Sequence, residues 1–172
     1  MKKTFFTLML MLASVVVINA QSLNGTWSTM LPVNDEEIPL VLDFADDGSC
    51  ILGLLVSQDM SDAGMGMKMI LNASLMMPGI YTRNGERLKF TFDRNNAEVD
   101  IDYVIDGVDE QTKKMMDSMI KPEIEKMKPD FMKEVLPSIP DLGEMKIVSL
   151  TNESLELAGA DGLIMKFEPY KE

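Results

Sequence analysis

The stretch Asn24-Gly25-Thr26-Trp27 carries the only tryptophan of this 172-residue chain, and it opens a series of short strand-like segments. A sheet that closes on itself needs a large, rigid apolar group in its core. A Trp on the first strand can fill the closed end of a small barrel. We therefore expect Gly25 and Trp27 to be structural residues that close a barrel.

Residues 1–20 have the pattern of a secretory signal peptide. Lys2 and Lys3 form a charged start, residues 5–18 form an apolar middle, and Ala20 is the small residue expected at a cleavage site. The apolar middle is short for a membrane span, and no cysteine follows Ala20. We expect an exported bacterial protein, periplasmic or secreted, without a lipid anchor and without a stable membrane span after cleavage. An uncleaved membrane anchor is the alternative. Residues 21–172 are expected to form a single domain.

The composition excludes several classes of function. The leader holds two of the 16 basic residues and none of the 28 acidic ones, so the mature chain has a formal charge of −14. Such a surface repels phosphate backbones, and we expect no nucleic-acid partner. The chain has no histidine, which removes Ser-His-Asp and Cys-His nucleophilic sites and every His-containing zinc site. The lone Cys50 lies in an apolar run and is interpreted as a buried small hydrophobic residue.

Clustered carboxylates could serve acid–base chemistry or hold calcium. Asp46-Asp47-Gly48 is instead a turn signal, and Asp100 and Asp102 alternate with apolar residues, which places them on a solvated face. We interpret these carboxylates as solubilising charge and expect no enzyme activity, no metal and no cofactor. The two clusters are Asp43, Asp46 and Asp47, and Asp100, Asp102 and Asp106.

Alternating apolar and polar residues, separated by turn signals, predict about ten short strands. Because consecutive strands are joined by hairpins, the pattern favours a mainly β fold: an antiparallel up-and-down β-barrel of about eight to ten strands. A β-sandwich is the alternative. The predicted strands cover residues 26–31, 39–44, 49–57, 68–76, 80–83, 87–92, 98–105, 145–150, 154–158 and 162–168.

Residues 108–142 change to helical periodicity and are predicted to form an insertion between late strands, at one mouth of the barrel. Asp109 can cap the start of the helix. A proline disfavours helical backbone at the preceding residue, so breaks or kinks are expected near Lys121 and Lys128. The pattern predicts a helix of about three turns followed by one or two shorter ones.

Leu23-Asn24-Gly25-Thr26-Trp27 resembles the Gly-x-Trp opening of lipocalin and lipocalin-like domains. Asp100-Ile101-Asp102-Tyr103 is similar to the Asp-x-x-Tyr of the family's second motif, and Met165-Lys166-Phe167 looks like its final strand. The pattern is most similar to the exported lipocalin-like proteins of Bacteroidetes-type bacteria. The resemblance covers residues 23–105 and 145–167 and leaves out the helical insertion. It implies that Lys166 stands where the family's basic residue often packs over the Trp.

The first functional hypothesis is a lipocalin-like binding protein for a small hydrophobic or amphipathic ligand held inside the barrel. Met side chains adapt to varied apolar surfaces, and they concentrate in residues 60–77 and 115–132, so the Met-rich insertion is the expected lid. The expected lid residues are Met115, Met119, Met127 and Phe131. The expected lining residues are Leu42, Phe44, Leu54, Met69, Leu71, Phe90, Phe92, Ile101, Tyr103, Met165 and Phe167.

The alternative is a non-enzymatic structural or interaction protein of the bacterial envelope with a filled barrel. In that case the insertion would contact an envelope protein, and a large exposed apolar patch on it would favour this interpretation. The interior decides between the two hypotheses. A cavity above about 300 Å³ favours ligand binding, and a filled core favours the interaction protein.

Overall fold

The computed structural model describes residues 22–33, 36–61 and 68–171, so the predicted signal peptide lies outside the described residues. The described residues form nine strands and one α-helix, with 3₁₀ turns at Arg94–Asn96 and Leu136–Ser138. The strands are β1 (Gly25–Val33), β2 (Glu36–Phe44), β3 (Ser49–Asp59), β4 (Lys68–Asn84), β5 (Arg87–Phe92), β6 (Glu98–Asp106), β7 (Glu144–Leu150), β8 (Leu155–Ala158) and β9 (Ile164–Pro169), and the helix is α1 (Glu110–Val135).

Eight of these strands close into an antiparallel barrel, which confirms the predicted fold class. Around the ring the order is β1, β2, β3, β4, β5, β7, β8 and β9, and β9 returns to β1 where Trp27 pairs with Pro169. β6 stands outside the ring and pairs with the first half of β4. The chain therefore leaves the barrel after β5, forms β6 and α1, and returns at β7.

β4 corrects one prediction, because residues 68–76 and 80–83 belong to a single strand rather than two. The turn signal Pro78-Gly79 lies inside this strand, where β4 changes partners. The pairing with β6 ends at Met76, and the pairing with β5 begins at Gly79. A proline, which has no N–H to donate, is tolerated at such an interruption of the ladder. A Cβ at Gly79 would lie 2.5 Å from Cδ1 of Phe92, so the glycine allows this ring to cross the strand.

α1 corrects a second prediction, because it continues through Pro122 and Pro129 without the breaks expected near Lys121 and Lys128. The two prolines lie seven residues apart, on one exposed face of the helix. The carbonyl groups that lose their intrahelical partners there belong to exposed residues, so water can satisfy them. The predicted cap is confirmed: the Asp109 carboxylate accepts a hydrogen bond from the Thr112 N–H at 2.8 Å.

The Trp27 end of the barrel is closed by aromatic side chains. Trp27 is buried, and its indole Nε1 donates a hydrogen bond to the Leu23 carbonyl at 2.8 Å. The Phe44 ring meets the Tyr81 ring edge-on at 5.0 Å between centroids and lies 6.0 Å from Phe90. Cys50 is buried in the same core, as expected. One large indole and a set of packed rings therefore fill this end of the barrel.

The opposite end is covered by α1. There a second, smaller cluster of buried side chains joins Ala73 of β4, Ile101 of β6 and Ile124 of α1. Ile120 and Phe131 of the helix are only half-buried against it. The helix thus packs on the inner faces of β4 and β6, and it sits at one barrel mouth, as the sequence predicts.

Candidate functional site

The barrel interior, where a ligand was expected, is filled by side chains. A side chain that lined a cavity wide enough for a ligand would keep solvent-accessible surface, because a water-sized sphere could touch it. Leu42 and Phe167 keep none, Phe44 and Leu54 keep 2% each, and Phe90 keeps 5%. These five predicted lining residues pack against one another in the main core.

The other predicted lining residues are divided between two places. Phe92 and Met165 are half-buried against the main core. Ile101 is buried under α1, and Leu71 and Tyr103 are half-buried beside it. The remaining residue, Met69, is half-buried in the first half of β4. The structure therefore does not bring the predicted set together around one space.

The predicted lid methionines belong to neither core cluster. Met115, Met119 and Met127 are exposed, at 59%, 66% and 49%. Ile124 and Phe131 make the contacts with the sheet instead. Apolar residues occur on several sides of α1, so helical spacing alone could not identify the packed side. Of the four expected lid residues, only Phe131 contacts the core clusters.

Two residues that the sequence reasoning missed close the covered mouth. Ile139 and Leu142 follow α1 in the irregular segment before β7, and both are buried in the main core. Their only signal in the sequence is that they are isolated apolar residues on either side of Pro140. The C-terminal end of the insertion is consequently anchored in the barrel. The N-terminal half of α1 contains no buried residue, since Ile124 is the helix's only one.

One hydrogen bond ties the N-terminal half of α1 to β6. The Tyr103 hydroxyl donates to a carboxylate oxygen of Asp117 at 2.6 Å. Loss of solvation, followed by this bond to a negative group, raises the pKa of Tyr103 to about 12. The phenol stays protonated at neutral pH and acts as a fixed donor that orients the helix, not as a base.

A second polar contact joins the C-terminal half of α1 to β6. The Lys128 ammonium lies 2.8 Å from the Glu125 carboxylate and 3.7 Å from the Asp100 carboxylate. The bond to Glu125, more than the charge of Asp100, raises the pKa of Lys128. The lysine therefore carries a stable positive charge beside an acidic strand.

Gly25 and Lys166 are the two other residues that the sequence analysis places at the closed end of the barrel. Gly25 has φ +113°, a conformation that favours glycine, and it begins β1 just before Trp27. Lys166 is exposed and lies on the opposite face of β9 from the fully buried Phe167. Trp27 points into the barrel, where its indole meets the Leu23 carbonyl.

The described residues contain no group of three or more His, Cys, Asp and Glu side chains that could hold a metal ion. Within the same residues, no helix is both long and apolar enough to cross a membrane. The concavities of the described surface include five of about 320–480 Å³, and of the predicted ligand-binding residues only Met165 lines one of these five.

Comparison of the chain with protein-family models and with curated proteins gives no match. The resemblance to lipocalin-like domains therefore remains a prediction from the sequence motifs. The barrel itself rests on strand order and register, which do not depend on that resemblance.

Proposed function

We propose that the protein is a non-enzymatic interaction protein of the lipocalin-like type, exported to the bacterial envelope. Its filled barrel acts as a scaffold, and α1 contacts a partner protein. The observation that carries this proposal is an exposed apolar strip in the N-terminal half of α1, which we call the Met face: Met115, Met119 and Pro122.

The Met face is contiguous because its residues recur at helical spacing. Met115, Met119 and Pro122 are separated by four and three residues, so they follow one another along one side of the helix. The buried Ile124 lies on the other side. The two methionines therefore add little to the packing of α1, and most of their apolar surface is available to a partner. Flexible thioether side chains suit a surface that must adapt to another protein.

The charge of α1 also supports a contact role. The helix contains six lysines and six acidic residues, so it is neutral within a mature chain of formal charge −14. A strongly acidic surface repels other acidic proteins, whereas a neutral helix removes that barrier at the contact. The partner is therefore expected to offer an apolar groove rather than a basic patch.

A photo-crosslinking amino acid at Met119 tests the proposal, with the same group at exposed Thr91 of β5 as the matched control. We expect a defined adduct from the Met119 position in the producing cell's envelope and none from Thr91. In a second experiment the crosslinking group is placed at neighbouring Lys126. The double change Met115→Ser with Met119→Ser should then abolish the adduct that forms from Lys126. Equal adducts from Met119 and Thr91 would remove the contact role of α1.

Binding of a small apolar or amphipathic ligand at the covered mouth is the second candidate. The observation that favours it is that Met69, Leu71, Tyr103 and Phe131 are only half-buried there. Displacement of α1 would expose them. The test is a titration of the mature protein with a fatty acid, with hydrogen exchange of α1 amides followed in parallel. Stoichiometric binding with faster α1 exchange supports this candidate, and absence of both rejects it.

A further inference from the structure

A groove of about 480 Å³ crosses the outer surface of the barrel over β1, β2, β3, β4 and β6, and we call it the outer groove. At one end of it, Met30, Pro39 and Leu55 form an apolar surface, with Glu37 in the adjacent row. Met30 pairs with Pro39, and since Leu40 pairs with Leu54, the neighbouring Pro39 and Leu55 lie side by side. Leu40 and Leu54 point into the barrel, so these three side chains line the outside.

The other end of the outer groove is acidic. Leu55 pairs with Ser74, and Ser74 pairs with Asp100, so this row changes from apolar to polar to charged. The adjacent row, through Asn72, ends at Asp102. Neighbouring strands lie about 4.8 Å apart, so the acidic end is about 10 Å from Leu55 and about 14 Å from Pro39.

The negative charge of the outer groove is only partly balanced by the protein's own cations. No lysine or arginine lines the groove. Asp100 has one cation, Lys128, at 3.7 Å, but that lysine lies closer to Glu125. Among the described residues, neither Asp102 nor the groove residue Glu37 takes part in an ion pair.

We propose that the outer groove binds a small cationic amphiphile. Its apolar chain or ring lies on Met30, Pro39 and Leu55, and its ammonium or guanidinium group lies between Asp100 and Asp102. The groove volume falls within the roughly 300–1,000 Å³ typical of small-molecule sites. Charge complementarity excludes an anionic lipid or fatty acid. The site is distinct from the Met face, and it does not depend on the proposed partner contact.

Calorimetric titration of the mature protein with decylamine, below its micelle concentration, tests the proposal. Decanol and decanoate carry a chain of the same length with a neutral and a negative head. We expect saturable one-to-one binding of decylamine, binding of decanol that is about tenfold weaker, and no binding of decanoate. Raised salt should weaken the binding of decylamine and leave that of decanol unchanged. Equal affinities for decylamine and decanol would overturn the role of the carboxylates.

Two charge-matched double variants locate the site. Asp100→Asn with Asp102→Asn removes two charges from the groove, and Glu98→Gln with Asp106→Asn removes two from the same outer face of β6 outside it. We expect about tenfold weaker decylamine binding for the first pair and less than about twofold for the second. Equal losses in both pairs would mean that only the overall charge matters, and the proposed site would be wrong.

The apolar end has its own matched pair. Leu55→Ser changes the outer groove, whereas Ile51→Ser changes an exposed outer-face residue of β3 that does not line it. We expect only Leu55→Ser to weaken binding of decylamine. Melting temperatures near that of the unaltered protein would show that each variant is folded. Binding that survives all groove variants would place decylamine elsewhere and overturn the proposal.

Discussion

The two ends of the barrel are built differently. At the Trp27 end, an indole and several packed rings are buried within the main core, which continues through the whole barrel. At the α1 end, the second cluster has only Ala73, Ile101 and Ile124 fully buried. Apolar burial is the main stabilising contribution, so the first end is a rigid scaffold, whereas at the second end the part of α1 that precedes Phe131 is held weakly. A protein of this design can change at its covered mouth without unfolding its barrel.

Thiol labelling should give the largest contrast between the two ends. Cys50 lies in the main core, and burial raises its pKa to about 11, so both access and thiolate content are low. A thiol reagent at pH 8 should modify native Cys50 at least about a hundredfold more slowly than the unfolded chain. In a Cys50→Ala background, Ile124→Cys should react much faster than native Cys50. Similar rates at the two positions would contradict a weakly held mouth.

Phe167→Ala should produce the largest loss of global stability. Phe167 is fully buried in the main core, and removing a buried Phe side chain costs about 3–5 kcal/mol. Urea unfolding measures the change, and Phe131→Ala, which truncates a half-buried ring on α1, is the matched control with a smaller loss. A loss below about 1 kcal/mol for Phe167→Ala would mean that the barrel is not tightly filled.

Ile124→Ala should loosen the helix while leaving the barrel intact. Ile124 is the one buried residue of α1, and truncating a buried Ile costs about 2–5 kcal/mol. The loss here is limited to the free energy with which α1 packs on the barrel. Hydrogen exchange should accelerate across α1 and stay unchanged in β2 and β3. If the β2 and β3 amides accelerate equally, the helix and the barrel unfold as one unit.

Tyr103→Phe should have a smaller effect of the same kind. It removes the hydroxyl that donates to Asp117, worth about 1 kcal/mol for a typical hydrogen bond. The raised pKa of Tyr103 makes this contribution pH-dependent: it is complete below pH 10 and is lost as pH rises towards about 12. In the unaltered protein, the hydrogen-exchange rate of the α1 amides should therefore rise with pH more steeply than the intrinsic chemical exchange rate does. In Tyr103→Phe it should show no such additional rise.

Met119→Ala should have the smallest effect on stability. Met119 is two-thirds exposed on the Met face, and surface substitutions usually change the free energy of unfolding by less than about 0.5 kcal/mol. Urea unfolding and α1 exchange should both match the unaltered protein. Faster exchange of α1 in this variant would show that the Met face packs against the barrel.

Much of the barrel could be predicted because its signal is local. Alternation along residues 98–105 and 87–92 identified β6 and β5, and Asp46-Asp47-Gly48 marked the turn into β3. The prediction failed where a local signal was outweighed by pairing partners. Pro78-Gly79 indicates a turn, but β3 pairs with β4 continuously past it. The two helix prolines indicate breaks, but their exposed positions make the lost hydrogen bonds tolerable.

The candidate sites were less predictable than the fold. Period-two spacing shows that Leu42 and Phe167 point inward, but it does not show whether the inside is empty. That depends on how many side chains from all eight strands, together with Ile139 and Leu142, meet at the centre. The outer groove combines residues from five strands, and the register between them is absent from any one segment.

The amino-acid sequence alone determined the strand pattern, the position of the insertion, the burial of Cys50 and the acidic charge, because each follows from neighbours within a few residues. Tertiary structure decided which face of α1 packs, whether the barrel is filled, and which carboxylates share a groove with Leu55. Those outcomes depend on contacts between side chains far apart in the chain, where the volume and register of every strand act together.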